Sequence, residues 1–202
     1  MMKNRALPVV VAVSVALVTL TVAAIAWGHP GHHHHHDVGL WSGLLHPLTG
    51  LDHLVAALAV GAWAMVLGGS SKWQMPAVFL VAMVAGAGLA VTGLAVGGLH
   101  MMTAATVIAL GVVIGVATKM PKPAALGLVA LFGVIHGAPH AAGFAGGAMA
   151  VSLFVVGMLA ATAALHAIGL VVAKRAISVQ PLYAPRVAAV LLAVTGAALL
   201  IH

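Results

Sequence analysis

Apolar residues come along this chain in long unbroken blocks, and the lengths of the blocks predict the elements. The first runs from Ala6 to Ala26, behind Lys3 and Arg5. Six more follow at about Leu44 to Leu67, Ala77 to Gly97, Met102 to Thr118, Ala124 to His140, Ala148 to Ala173 and Val187 to Ile201. Most come close to the roughly 20 residues that carry a helix across a bilayer core, with the third and fourth at the short end of that range and the sixth slightly below it. A membrane barrel strand requires polar and apolar residues in alternation, which these blocks lack. The pattern predicts an all-α integral membrane protein, a bundle of six transmembrane helices after an N-terminal signal segment.

The basic start of the first block and the small residues Ala24 and Ala26 have the layout of a secretory signal, so residues 1–26 are expected to be a signal peptide or a signal anchor. Residues 27–43 hold Trp27-Gly28-His29-Pro30-Gly31 and the run His32, His33, His34, His35, His36. With no apolar face to bury, they are expected to form an exposed His-rich segment that collects metal. Residues 44–202 are the transmembrane domain. If the N-terminus starts in the cytoplasm and each block crosses once, Lys3, Arg5, Lys72, Lys119, Lys122, Lys174, Arg175 and Arg186 all fall on the cytoplasmic side, as the positive-inside rule requires. The His-rich segment and the C-terminal His202 are then periplasmic, and the expected location is the bacterial inner membrane, multi-pass. Gly93-x-x-x-Gly97, Gly111-x-x-x-Gly115 and Gly143-x-x-x-Gly147 offer small faces for close helix packing.

Composition sharpens this reading. The chain is 63% hydrophobic and 5% charged, with a mean hydropathy of +1.21, against about a quarter charged in a soluble domain. Lipid must be the solvent for most of it. The net charge of +6 comes from basic residues scattered among apolar runs, which excludes a nucleic-acid surface. Cysteine is absent, so any metal ligand is imidazole, carboxylate, thioether or backbone, and 13 histidines are available.

The first span opens with His46-Pro47-Leu48-Thr49-Gly50-Leu51-Asp52-His53. On a continuous helix His46 and His53 lie two turns apart on nearly one face, with Asp52 beside them and Pro47 suited to a first turn. A cap and a dipole-complementing acid would explain them blandly. However, an acid inside a span costs about 2.5 to 3.5 kcal/mol at the membrane centre and usually faces a cavity or a cation, which favours ligands. His136-Gly137-Ala138-Pro139-His140 closes the fourth span with imidazoles at i and i+4, a spacing that lets two histidines share one ion if the backbone stays helical. Pro139 argues for a helix end near His140. His100, followed by Met101 and Met102, stands at a connection and is a further metal candidate. His166 lies well inside the fifth span, either as a relay ligand or as a hydrogen-bond donor to a neighbouring helix.

At these residues the chain resembles the HupE/UreJ family of bacterial nickel and cobalt permeases. The resemblance rests on His46-Pro47-x-x-Gly50-x-Asp52-His53, Val60-Gly61-x-Trp63-Ala64, His136-Gly137-x-x-His140 and Thr162-x-x-Leu165-His166-x-x-Gly169. It implies a six-span permease, made with a cleaved signal, that supplies nickel or cobalt to metalloenzymes. Two acids of the family pattern are replaced here, one by His100 and one near Gly143, which shifts the site from mixed carboxylate and imidazole towards imidazole and suits cobalt, copper and zinc as well.

The function expected is transport of a divalent transition metal ion, nickel first and cobalt next, by a secondary or channel-like mechanism. The alternative is a non-transporting membrane protein that binds or senses metal. No permanent cofactor and no enzymatic activity are expected; Ni2+ or Co2+, and after them Cu2+ or Zn2+, are cargo. The expected partners are that divalent metal ion, the lipid bilayer and, as a candidate, a further copy of the chain in a homo-oligomer.

Overall fold

The computed structural model describes residues 38–92, 97–116, 120–143 and 147–201. The expected signal segment, the metal-collecting histidines His29 and His32 to His36, and His202 lie outside the described residues. Within them the helices are α1 (Leu40–Thr49), α2 (Leu51–Leu67), α3 (Ser71–Val91), α4 (Leu99–Val116), α5 (Lys122–Gly137), α6 (Ala148–Val179) and α7 (Ala184–Ile201), with a 3-10 segment, Ala138–Gly143, after α5. No strand occurs among the described residues. Five of the helices are each long and apolar enough to cross a membrane, and α1 with α2 makes a sixth when the bent pair is one span. The chain is an all-α, multi-pass membrane protein.

The first span departs from the expected straight helix. It starts at Leu40 and breaks at Gly50, where α1 and α2 meet at 82°. Pro47 falls inside α1 rather than in its first turn. With no N–H, it cannot bond back to the Gly43 carbonyl. Gly50, three residues on, takes an extended conformation with φ −90° and ψ 110°, which costs a helix-poor glycine little. In the new first turn of α2, Asp52 accepts the backbone N–H of His53 at 2.9 Å, a bond the helix itself cannot provide there. The other long departure is α6. Its 32 residues rise about 48 Å, more than the roughly 30 Å hydrocarbon core, so it tilts or projects beyond the core, and Lys174 and Arg175 in its last turns are exposed.

Helices associate through small residues. α3 packs on α5, α4 on α7, and α6 on both α1 and α2. At the α2–α6 contact Gly61 stands against the His166 backbone and Gly169 against the Leu58 backbone, with no room for a Cβ on either. Gly43 with Phe154, and Gly157 with Leu40, repeat the arrangement between α1 and α6. In lipid, where apolar surface gains nothing by leaving solvent, such close approach supplies the dispersion energy that holds helices together. Of the GxxxG pairs in the sequence, Gly111 is used in this way against α7, whereas a Cβ at Gly97 or Gly147 would meet nothing within 4 Å among the described residues.

The interior is filled by Trp63, Phe79, Met75, Met83, Leu110 and Met158. Large apolar side chains such as Val81, Leu131, Val156, Ile168, Val171 and Val190 are exposed and face the lipid that their helices require. At one end Lys122 Nζ donates to Ser70 Oγ at 2.6 Å, joining the start of α5 to the α2–α3 connection. From that end α5 runs about 21 Å to His136.

A histidine cluster at the broken span

Three imidazoles from three chain segments converge at the far end of α5. His46 comes from α1, His53 from α2 and His140 from the 3-10 segment, and one ligand atom from each lies within 4.8 Å of the others. Ring centroids are 4.6 Å apart for His46 and His140, 4.9 Å for His53 and His140 and 5.7 Å for His46 and His53. On an unbroken helix the seven residues from His46 to His53 would rise about 10.5 Å. The bend at Gly50 removes that separation. Similarly, α5 ends at Gly137 and Pro139 sits in the 3-10 turn, so His140 is turned onto His53 rather than paired with His136 along a helix. His136 meets His53 from the other side, at 5.1 Å between centroids.

Hydrogen bonds set the tautomer of three of these rings. His53 Nδ1 lies 2.9 Å from Asp52 Oδ1. A carboxylate can only accept, so the proton sits on Nδ1 and the lone pair on Nε2. That Nε2 is 3.4 Å from the His136 carbonyl, at the outer limit of a hydrogen bond. His136 Nδ1 donates to the Phe132 carbonyl at 3.0 Å, and His166 Nδ1 to the Ala57 carbonyl at 2.7 Å. In both, Nε2 is buried and has no hydrogen-bond partner among the described residues, as is also true of His140 Nε2. Leaving such an atom unpaired costs about 1–3 kcal/mol. Imidazoles whose Nδ1 is held by a carboxylate or carbonyl, with Nε2 bare, have the arrangement of metal-ligating histidines.

The candidate residues are thus sorted by position. His46, His53 and His140 form the cluster. Asp52, expected as a ligand, touches the cluster through His53, which it orients; both side chains are about one-seventh exposed. Gly50 makes room for this pair, since a Cβ there would lie 3.1 Å from Asp52 Oδ1 and 3.2 Å from His53 Nδ1. His136 is buried behind His53, also outside the trio. His166 bonds to Ala57, which is one turn beyond His53 along α2, so this imidazole lies deeper in the bundle. His100 is exposed in the first turn of α4 and is not part of the cluster found among the described residues. Met101 and Met102 beside it are exposed as well.

Two aromatic residues at the site carried no signal in the sequence. Phe154 of α6 packs edge-on against His46 at 5.5 Å. Phe79 of α3 lies against His136 at 5.7 Å and against His166 at 5.2 Å. A phenylalanine inside an apolar block looks like core, and only the contacts between helices distinguish it.

Chemically, the cluster offers three imidazole nitrogen donors and, through Asp52, a carboxylate. Two nitrogens on one ion at about 2.1 Å each sit no more than about 4.2 Å apart. Small side-chain rotations would close the trio to that spacing. A three-ligand set leaves coordination positions open, as exchangeable sites do, and imidazole accepts nickel, copper, cobalt and zinc alike.

No solved structure matches the chain. Protein HupE of Rhizobium leguminosarum bv. viciae is 36% identical over 186 residues, covering 91% of this chain and 97% of that protein. Residues 15–199 match the family described as HupE / UreJ protein. That match takes in the broken first span, the cluster and His166 together, and the chain belongs to the HupE/UreJ family.

Proposed function

We propose that this protein is a permease that carries a divalent transition metal ion, nickel first and cobalt next, across the bacterial inner membrane. The observation that carries the reading is the convergence of His46, His53 and His140 beside Asp52 at a broken span. Irregular backbone at membrane depth is tolerated where it is buried in protein or lines a cavity. Here the break brings donors together that a continuous helix would keep apart. Asp52 balances one of the two charges of an arriving ion and steadies His53, while the open positions let the ion leave again. Binding weak enough to release is a requirement of conduction.

His166 takes the ion one turn further in. Its Nε2, like that of His136, has no partner among the described residues, so each imidazole gains a bond as the ion arrives. Inward movement needs no pump: the membrane potential supplies about 4.6 kcal/mol per 100 mV for two charges, twice the single-charge value. The family relationship supports a role in metal handling, and the distribution of Lys and Arg supports a periplasmic cluster and a cytoplasmic end at Ser70 and Lys122. The His-rich stretch around His32 to His36 would raise the local metal concentration outside. Nothing in this scheme requires an enzyme or a resident cofactor.

The test is uptake by purified protein in liposomes, compared across nickel, cobalt, zinc and copper under an inside-negative potential. Nickel or cobalt influx above that of empty liposomes is expected. Saturable binding with no influx of any of the four metals would instead identify a membrane metal-binding or sensor protein.

A further inference from the structure

Phe79 occupies a position that transport cannot ignore. Its ring touches the imidazole of His136 at 5.7 Å, tilted by 51°, and that of His166 at 5.2 Å, edge to face at 87°. Phe79 is 2% exposed, and the two histidines are 1% exposed each. Both carry a buried Nε2 that no described residue satisfies. Two imidazoles, each with a bare Nε2, are therefore packed against a single apolar ring, the first next to the cluster through His53 and the second bonded through Nδ1 to Ala57 in the interior.

We propose that Phe79 is the gate of the permeation path, a ring that separates the cluster side at His136 from the interior station at His166 and must swing aside for an ion to pass. This deepens the transport reading and rests on it. An apolar constriction excludes water and hydrated ions, which is one way channels close. The face of an aromatic ring attracts cations all the same, so a partly desolvated ion can approach it from the His136 side. The backbone below the ring is held in place: α5 comes so close at Gly133 that a Cβ there would press on the Phe79 carbonyl and on Ala82. The side chain is then the part that moves, by rotation about its own bonds, with α3 and α5 staying packed. His136 and His166 keep their Nδ1 bonds to Phe132 and Ala57 throughout, so both nitrogens stay aimed while the ring moves.

The experiment uses the full chain in vesicles of phosphatidylethanolamine and phosphatidylglycerol, with nickel chloride as the probe and two readouts. One is nickel influx. The other, independent of transport, is modification of His166 by diethyl pyrocarbonate, read by mass spectrometry. Phe79→Ala is expected to raise both, His166 modification by about tenfold as its protection is lost, while nickel binding at the cluster stays within about twofold because Phe79 touches none of its three rings. Phe79→Leu, a milder change that guards against misfolding, should move both readouts the same way by less, and Phe79→Trp should slow influx. Retained nickel binding shows that a variant is folded. His166 modification unchanged from the parent in a folded Phe79→Ala or Phe79→Leu protein overturns the gate. If instead the parent moves no nickel, the transport reading fails by itself, and the accessibility of His166 still decides whether Phe79 seals it off.

Discussion

The imidazoles of the cluster and the imidazole of His166 are held by opposite means. His46, His53 and His140 come from three separate segments, and two of the three are only half-buried. One of them, His53, is steadied by a carboxylate that carries charge. His166 is one ring on one long helix, fully buried, and its only polar partner among the described residues is the neutral carbonyl of Ala57. In the transport reading the difference has a consequence. A charged, multidentate, partly open site captures an ion from solution, whereas a lone neutral nitrogen holds it weakly and passes it on. Capture and passage should therefore respond to different substitutions.

His53→Ala should erase the cluster side of this contrast and has the largest expected effect. His53 is the ring that meets His46, His136 and His140 and that Asp52 orients. Nickel affinity in equilibrium dialysis should fall by about 100-fold or more, beyond the 10–100-fold usual for loss of an orienting partner, and uptake should vanish. A binding curve equal to the parent's would show that the cluster does not take metal.

Asp52→Asn tests the charge alone, since the two side chains are nearly isosteric. Nickel affinity should drop by about 10–100-fold, as for other residues that orient a ligating histidine, while the thermal unfolding midpoint in detergent stays near that of the parent. Parent-like affinity and uptake would reduce Asp52 to a device for starting α2.

His166→Ala separates passage from capture. Uptake should slow by about tenfold while the half-saturating nickel concentration changes by no more than about twofold, the pattern of a group used after binding. Were both to shift together, His166 and the cluster would be one site. The smallest effect belongs to His100→Ala, which should leave affinity, uptake and stability close to the parent, within about 0.5 kcal/mol for an exposed residue outside any network. A clear loss of nickel binding there would place a ligand on α4 that the described cluster lacks.

What the sequence determined by itself is the class of the molecule and the kinds of atom available to it. A bilayer obliges each crossing segment to satisfy its own backbone, so long apolar blocks become helices whatever surrounds them, and six blocks after the first could be counted directly. The absence of cysteine left imidazole as the chief donor, and motifs such as His46-Pro47-x-x-Gly50-x-Asp52-His53 were enough to identify the family. The ends of the spans on which His46, His53, His136 and His140 fall already point to one shared site, but only the tertiary structure decided how those imidazoles meet. The 82° break at Gly50 folds His46 back on His53, and the 3-10 turn after Gly137 delivers His140 to the same point. Contacts between residues 83 and 109 positions apart bring α5 and α6 to α2. Phe79 acquires its contacts with both His136 and His166, and His100 is left exposed, for the same reason. Local patterning records how each segment meets lipid, whereas the meeting of segments depends on which small residues let which helices approach, and spacing along the chain does not encode that choice.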